Sequence, residues 1–151
     1  MERIRQIAPV ATLQPSYSIL SRGVEAETLP YCGVHDIGVI VYSPMKSGLL
    51  SGAMTRERIA AMPQNDWRRH HRDFTEPKLT ENLELVEKLR VIGQRGQRRN
   101  CSPGEVAIAW TLNHPAVTAA IVGARRPEQV DGFIGAAKLE LTPEETGECA
   151  P

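Results

Sequence analysis

The stretch GVIVYSP at residues 38–44 places three β-branched residues, Val39, Ile40 and Val41, in succession between a glycine and a Ser-Pro turn. An unbroken apolar run of this kind reads as a strand covered on both faces, the pattern of parallel sheets, because a strand with one wet face alternates apolar and polar residues. Helical signals flank it. Upstream, residues 24–35 carry a charged helical pattern in which Pro30 is tolerated only in a first turn, so that helix is expected to begin near Thr28. Downstream, Leu85, Leu89 and Ile92 share one face of a helix over residues 81–92.

The firmest local signal is Ser102-Pro103-Gly104-Glu105, a capping box with proline at the first helical position; it predicts a helix through Ala107, Trp110 and Thr111 that ends at Asn113-His114-Pro115. Trp110 is read as packed core. Short strands are expected to end near Gln14 and to cover residues 117–122, with helices over 127–137 and from Thr142 onward. Ile4, Ile7 and Ala8 stand at helical spacing near the start. The order helix, strand, helix, strand, loop, helices, strand, helix is that of α/β proteins with parallel strands.

Residues 53–77 are polar and irregular, and a loop of that length in a compact domain is read as a lid or substrate loop. Within it, the run from Arg68 to Arg72 is expected to be a solvated face. The adjacent His70 and His71 point in different directions on any regular backbone, which argues against a metal site. Residues 93–100 form a basic turn.

Composition narrows the function. Eighteen basic against eighteen acidic side chains give formal neutrality, which excludes a general electrostatic attraction to nucleic acid or to an anionic membrane. No apolar run reaches the length of a membrane span, and Cys32, Cys101 and Cys149 are unpatterned, so reduced thiols and a cytoplasmic address are expected. No strand is followed by Gly-x-Gly-x-x-Gly, and Gly-x-x-x-x-Gly-Lys is absent, so the Rossmann and P-loop readings lose their main support. Any anion site is local.

The stretch IVGARRPEQV at residues 121–130 supplies a candidate. Two arginines sit at an expected helix N-terminus, where the partial positive charge makes them locally unfavourable by about 0.3–1 kcal/mol; a bound anion would reverse that sign.

With "LQPSYSIL", "GVIVYSPMKSGLLSG", "SPGEVAIAWTLNHPAV" and "IVGARRPEQVDGFIGA" in this order, the chain resembles the C-terminal half of an aldo-keto reductase over residues 1–145. The resemblance implies a partial (β/α)8 TIM barrel, an α/β fold made of the last three β/α units with a long substrate-side loop, and NADP (NADPH) as cofactor. It implies that Arg125 grips the 2′-phosphate, with Gln129 assisting and Gly123 letting the backbone approach. Arg126 is left to solvent. Gln14 would hold the nicotinamide carboxamide, Tyr42 would stack on the nicotinamide ring, and Ser43, Met45, Ser47, Gly48 and Leu49 would wrap the pyrophosphate. Phe133 stands where many members have an asparagine near the adenine, which puts that hydrogen bond in doubt.

The same resemblance places the family's catalytic Asp, Tyr, Lys and His in the first half of the barrel, so none of those roles falls on a residue of this chain. The intact activity implied is reversible reduction of a small carbonyl substrate, an aldehyde or ketone, to an alcohol, and the isolated chain is expected to be inactive. Its open strand edges are expected to favour self-association or a complementary half-barrel. The alternatives are a non-catalytic nucleotide-binding or interaction module and a non-functional truncated product.

Overall fold

A computed structural model describes residues 1–95 and 101–150; most of the basic turn expected at residues 93–100 lies outside the described residues. Helix α1 (Glu2–Arg5) is followed by β1 (Thr12–Leu13), α2 (Thr28–Val34), β2 (Gly38–Tyr42), α3 (Arg56–Ala60), α4 (Lys78–Gly93), α5 (Pro103–Leu112), β3 (Val117–Ile121), α6 (Pro127–Asp131) and α7 (Pro143–Glu148). The three strands form one parallel sheet in the order β1-β2-β3. Among the described residues no helix is long and apolar enough to cross a membrane.

The apolar run of β2 behaves differently from its sequence expectation. Val39 and Val41 are fully buried in the main core, together with Leu29 and Cys32 of α2, Leu85, Leu89 and Ile92 of α4, and Val106 and Trp110 of α5. Ile40 is only half-buried, and Tyr42 and its register partner Ile121 are each 46% exposed. The helices cover one face of the sheet and leave the other open, so the continuous β-branched pattern marks a strand built for two covered faces of which the described residues supply one.

β1 is shorter and wetter than expected. Thr12 is exposed and Leu13 half-buried, and regular pairing stops at Gln14-Pro15, where proline has no N–H to give the ladder. The chain still follows β2: the Pro15 carbonyl accepts the Tyr42 N–H at 3.0 Å, and the Tyr17 N–H donates to the Tyr42 carbonyl at 3.2 Å. Between β2 and β3 the register slips at Val39/Ile40, and the Thr118 hydroxyl accepts the Val39 N–H at 3.2 Å in place of a ladder carbonyl.

Capping follows the sequence closely. Ser102 and Glu105 make both halves of the box at the start of α5, as Thr142 and Glu145 do for α7. Helix α2 begins at Thr28, with Pro30 in its first turn. The helix expected over residues 127–137 instead breaks at Gly132 and Phe133 into α6 and a 3-10 turn at Ile134–Lys138.

Residues 53–77 are not an irregular loop. Thr55 caps α3, 3-10 turns form at Trp67–His70 and Arg72–Phe74, and Met54, Ile59, Met62 and Phe74 bury themselves with Leu49 and Leu79 in a second small core. The expectation missed this because its apolar residues are spread among charges rather than periodic.

Helices α4 and α5 meet tightly at Gly93, whose carbonyl accepts the Cys101 N–H at 3.0 Å. A Cβ at this position would overlap the Cys101 carbonyl oxygen and press on Val106. Helix propensity alone would make Gly93→Ala stabilising by up to about 1 kcal/mol, whereas overpacking costs about 1–3 kcal/mol, so the substitution is expected to lower stability. Urea unfolding measures the sign, and a gain would contradict this packing.

Candidate functional site

The C-terminal ends of β2 and β3 open into one cleft of about 960 Å3, at the upper end of the usual range for small-molecule sites. Its first wall is the turn after β2. Ser43, Lys46 and Ser47 have φ values of 58°, 48° and 54°, and Gly48 has 88°. Left-handed backbone costs a non-glycine residue about 1 kcal/mol, so this turn needs support. It receives it from inside: the amides of Gly48 and Leu50 both donate to the Met45 carbonyl at 3.1 Å, and Leu49 and Leu50 are fully buried beneath. Among the described residues the Met45 and Ser47 amides have no hydrogen-bond acceptor. They flank the Lys46 N–H, which donates to the Ser43 carbonyl at 2.9 Å, so the turn offers two alternate rather than successive donors.

The second wall is the segment from Ile121 to Arg125 with Gln129. Here the expected helix-dipole site needs correction. Helix α6 has only five residues, and Gln129 Oε1 accepts the backbone N–H of both Arg125 (2.7 Å) and Arg126 (3.2 Å). The two amides that lead into α6 are therefore taken up within the protein, and positive charge reaches the cleft through the Arg125 guanidinium. That group is exposed and hydrogen-bonded to no side chain or carbonyl among the described residues. A Cβ at Gly123 would meet nothing within 4 Å, which leaves the cleft wide at that point.

The third wall comes from the 53–77 segment, as Arg58, Asp66, Trp67 and Arg68. Asp66 caps the 3-10 turn that follows it and is clamped by Arg68, with Nε to Oδ1 at 3.0 Å and an ion pair of 2.6 Å. Those Arg68 hydrogen bonds, helped by the charge of Arg125, hold the Asp66 carboxyl down at about 2. Trp67 is 55% exposed and stands edge-on to His71 and Phe74 at 5.2 and 5.9 Å. The Arg68–Arg72 run is thus not a single solvated face: Arg68 holds Asp66, and Arg69 donates to the Ala60 and Met62 carbonyls.

Of the positions singled out in the sequence, Tyr42, Ser43, Met45, Ser47, Gly48, Gly123, Arg125 and Gln129 all border this cleft, with Phe133 half-buried in its wall. Two lie elsewhere. Leu49 is buried in the second core, and its amide donates to the Lys46 carbonyl at 3.1 Å. Gln14 is exposed at the end of β1, one residue from the Pro15 carbonyl that holds Tyr42, and does not line the cleft. Sequence reasoning missed Arg58, Asp66 and Arg68. An aspartate just before Trp67 is a capping signal that could have revealed the turn carrying them.

Comparison with known proteins gives a consistent result. A family model described as the Aldo/keto reductase family matches residues 1–150. The chain is 33% identical over 133 residues to an aldo-keto reductase of Bacillus subtilis, covering 88% of this chain and 39% of that protein. It is 33% identical over 145 residues to a putative voltage-gated potassium channel subunit beta of Schizosaccharomyces pombe, covering 91% and 40%. With an NADH-specific methylglyoxal reductase of Escherichia coli the figures are 31% identity over 139 residues, 91% and 40%. Among solved structures, a glycerol dehydrogenase of Gluconobacter oxydans superposes with a TM-score of 0.88 at 30% identity, covering 99% of this chain and 44% of that one. The chain therefore spans about two-fifths of the length of these relatives.

The Asp66 clamp has a pH signature. A carboxylate whose folded value is depressed adds stability that is complete above its unfolded value near 4 and is lost as pH falls toward its folded value of about 2. Acid titration of stability is expected to flatten between about pH 4 and 2 in Asp66→Asn. An unchanged acid limb would dismiss the clamp.

Proposed function

The chain belongs to the aldo/keto reductase family, and from that premise we propose that its cleft holds NADPH for the reversible reduction of an aldehyde or ketone. In this reading the three parallel strands are the last three of an eight-stranded (β/α) barrel. The observation that carries it is convergence: the free Met45 and Ser47 amides, the exposed Tyr42 ring and the Arg125 guanidinium, from two different strand ends, border one cleft.

The residues fit the parts of the dinucleotide by their chemistry. The turn at residues 43–48 offers N–H donors to a pyrophosphate, and Ser43 and Ser47 add hydroxyls. Arg125 brings a planar fork of donors to the 2′-phosphate, for which its lack of a hydrogen-bond partner leaves it available. Gln129 fixes the backbone that carries Arg125. Tyr42 presents an aromatic face to the nicotinamide. Trp67 and Phe133 supply apolar cover that thins the water around the charges.

When bound, the cofactor supplies hydride to the carbonyl carbon. The carbonyl oxygen then needs a proton, and the tyrosines of this chain are poorly placed to give one. The Tyr17 hydroxyl is buried and donates to Glu25 Oε1 at 2.6 Å; burial first, then Glu25, pushes its pKa well above the usual phenol range. The Tyr31 hydroxyl accepts from Arg5 at 3.0 Å. Tyr42, the tyrosine on the cleft, gives its ring to the nicotinamide in this reading, so no general acid is assigned among the described residues, and the isolated chain is expected not to turn over a carbonyl substrate.

A second reading is an interaction module. It is favoured by the likeness to a potassium channel subunit beta and by the open sheet face carrying Ile40, Tyr42 and Ile121, which suits further strands from a second copy or a complementary half-barrel. The name of the Escherichia coli relative also sets NADH against NADPH as cofactor.

Fluorescence titration with both cofactors tests these readings. Arg125→Glu should weaken NADPH by about 1.5–3 kcal/mol, the loss of a charge-assisted hydrogen bond, and leave NADH nearly unchanged. Equal losses would remove the 2′-phosphate assignment, and binding of neither cofactor by the parent chain would favour the interaction module.

A further inference from the structure

Lys46 sits in the middle of the turn proposed to hold the pyrophosphate, yet its ammonium is directed away from the cleft. It does not line the cleft; Nζ donates to Ser21 Oγ at 3.0 Å and lies 3.4 Å from Asp73 Oδ2. A cation in an anion-binding turn is therefore spent on the protein. Its backbone meanwhile has φ 48°, which costs a non-glycine residue about 1 kcal/mol.

Asp73 adds to the support that the Met45 carbonyl and the buried Leu49 and Leu50 give this turn. Its side chain is 7% exposed against 22% for Lys46, so the pair is largely removed from water, where breaking it from one side is costly. The carboxylate has no equivalent second partner. Arg72 approaches Oδ1 at 3.5 Å, about as near as Lys46, but from an almost fully exposed position where solvent screens the pair. His71 Nδ1 is 3.6 Å from Oδ2 but accepts the Asp73 backbone N–H at 3.2 Å, so that nitrogen turns a lone pair, not a proton, toward the carboxylate. Asp73 is itself anchored: its carbonyl accepts Asn82 Nδ2 at 2.9 Å, with Asn82 buried in α4, and the adjoining Phe74 lies in the second core.

We propose that Asp73 is a positioning residue for cofactor binding, acting through Lys46 to hold the turn at residues 43–48 in the left-handed conformation that leaves the Met45 and Ser47 amides without an acceptor in the protein at the cleft wall. The proposal rests on the nucleotide reading above. It makes the 53–77 segment part of the pyrophosphate site without requiring Asp73 to touch the ligand.

Calorimetric titration with two probes tests it: NADPH, which carries a pyrophosphate, and adenosine 2′-monophosphate, which carries the 2′-phosphate alone. Asp73→Asn and Lys46→Met are each expected to raise the Kd for NADPH about tenfold and to leave that for the monophosphate within about twofold, and the double variant should match the singles, as two groups acting through one contact do. If Asp73→Asn does not fold, Lys46→Met, altered at the wetter end of the pair, decides by the same ratio. Unchanged NADPH binding, equal weakening of both probes, or losses that multiply in the double variant would overturn the proposal. Failure of the parent chain to bind either probe would instead overturn the nucleotide reading on which it stands.

Discussion

The packing of α2 and α5 against one face of β2 and β3 governs the rest of this structure. Val39 and Val41, fully buried under those helices, fix which way every residue of β2 points, because side chains alternate along a strand. Tyr42 is then forced onto the open face at the strand's end, level with Ile121. The two strand ends thereby come side by side, and the turns that leave them must share one mouth. A slip of one residue would bury Tyr42 and carry its neighbours out of the cleft.

Much of this was legible in the sequence because it rests on local chemistry. The boxes at Ser102 and Thr142 and the limit set by Pro30 are decided within one helical turn. The left-handed turn after Tyr42 was legible only as a Gly/Ser-bounded break; its run of positive φ values depends on burial of Leu49 and Leu50 far below it. Eight of the ten candidate positions taken from motif order lie on the cleft, whereas Gln14 and Leu49, placed by the same analogy, stand outside it. One-sided coverage of β2 was not legible, since a strand's own residues show what it can be covered by and not how much covering follows.

The 53–77 segment shows a different limit. Its order comes from pairs such as Asp66 with Arg68, and from apolar residues scattered from Met54 to Phe74 that meet only once the backbone has turned several times. Neither feature has a period, so hydrophobic patterning reads the region as loop. The charges that suggested a solvated surface are the ones that tie it down.

The anion preference proposed for the cleft rests on how those charges cancel. Among the described residues three arginines, Arg58, Arg68 and Arg125, border it against one aspartate, Asp66. With the Arg125 and Arg126 amides ahead of α6 already given to Gln129, it is side-chain charge that this wall offers to a phosphate. An exposed guanidinium gains only about 1 kcal/mol from an anion at 4 Å in bulk water but about 4 kcal/mol at an effective dielectric constant near 20. The wall formed by Trp67, Arg68 and Asp66 can lower the local dielectric, but a bare carboxylate in that wall would repel the same phosphate. The Arg68 clamp removes the conflict: it leaves Asp66 ionised yet neutralised, so the segment can shield the cleft while Arg125 keeps its full charge for the ligand.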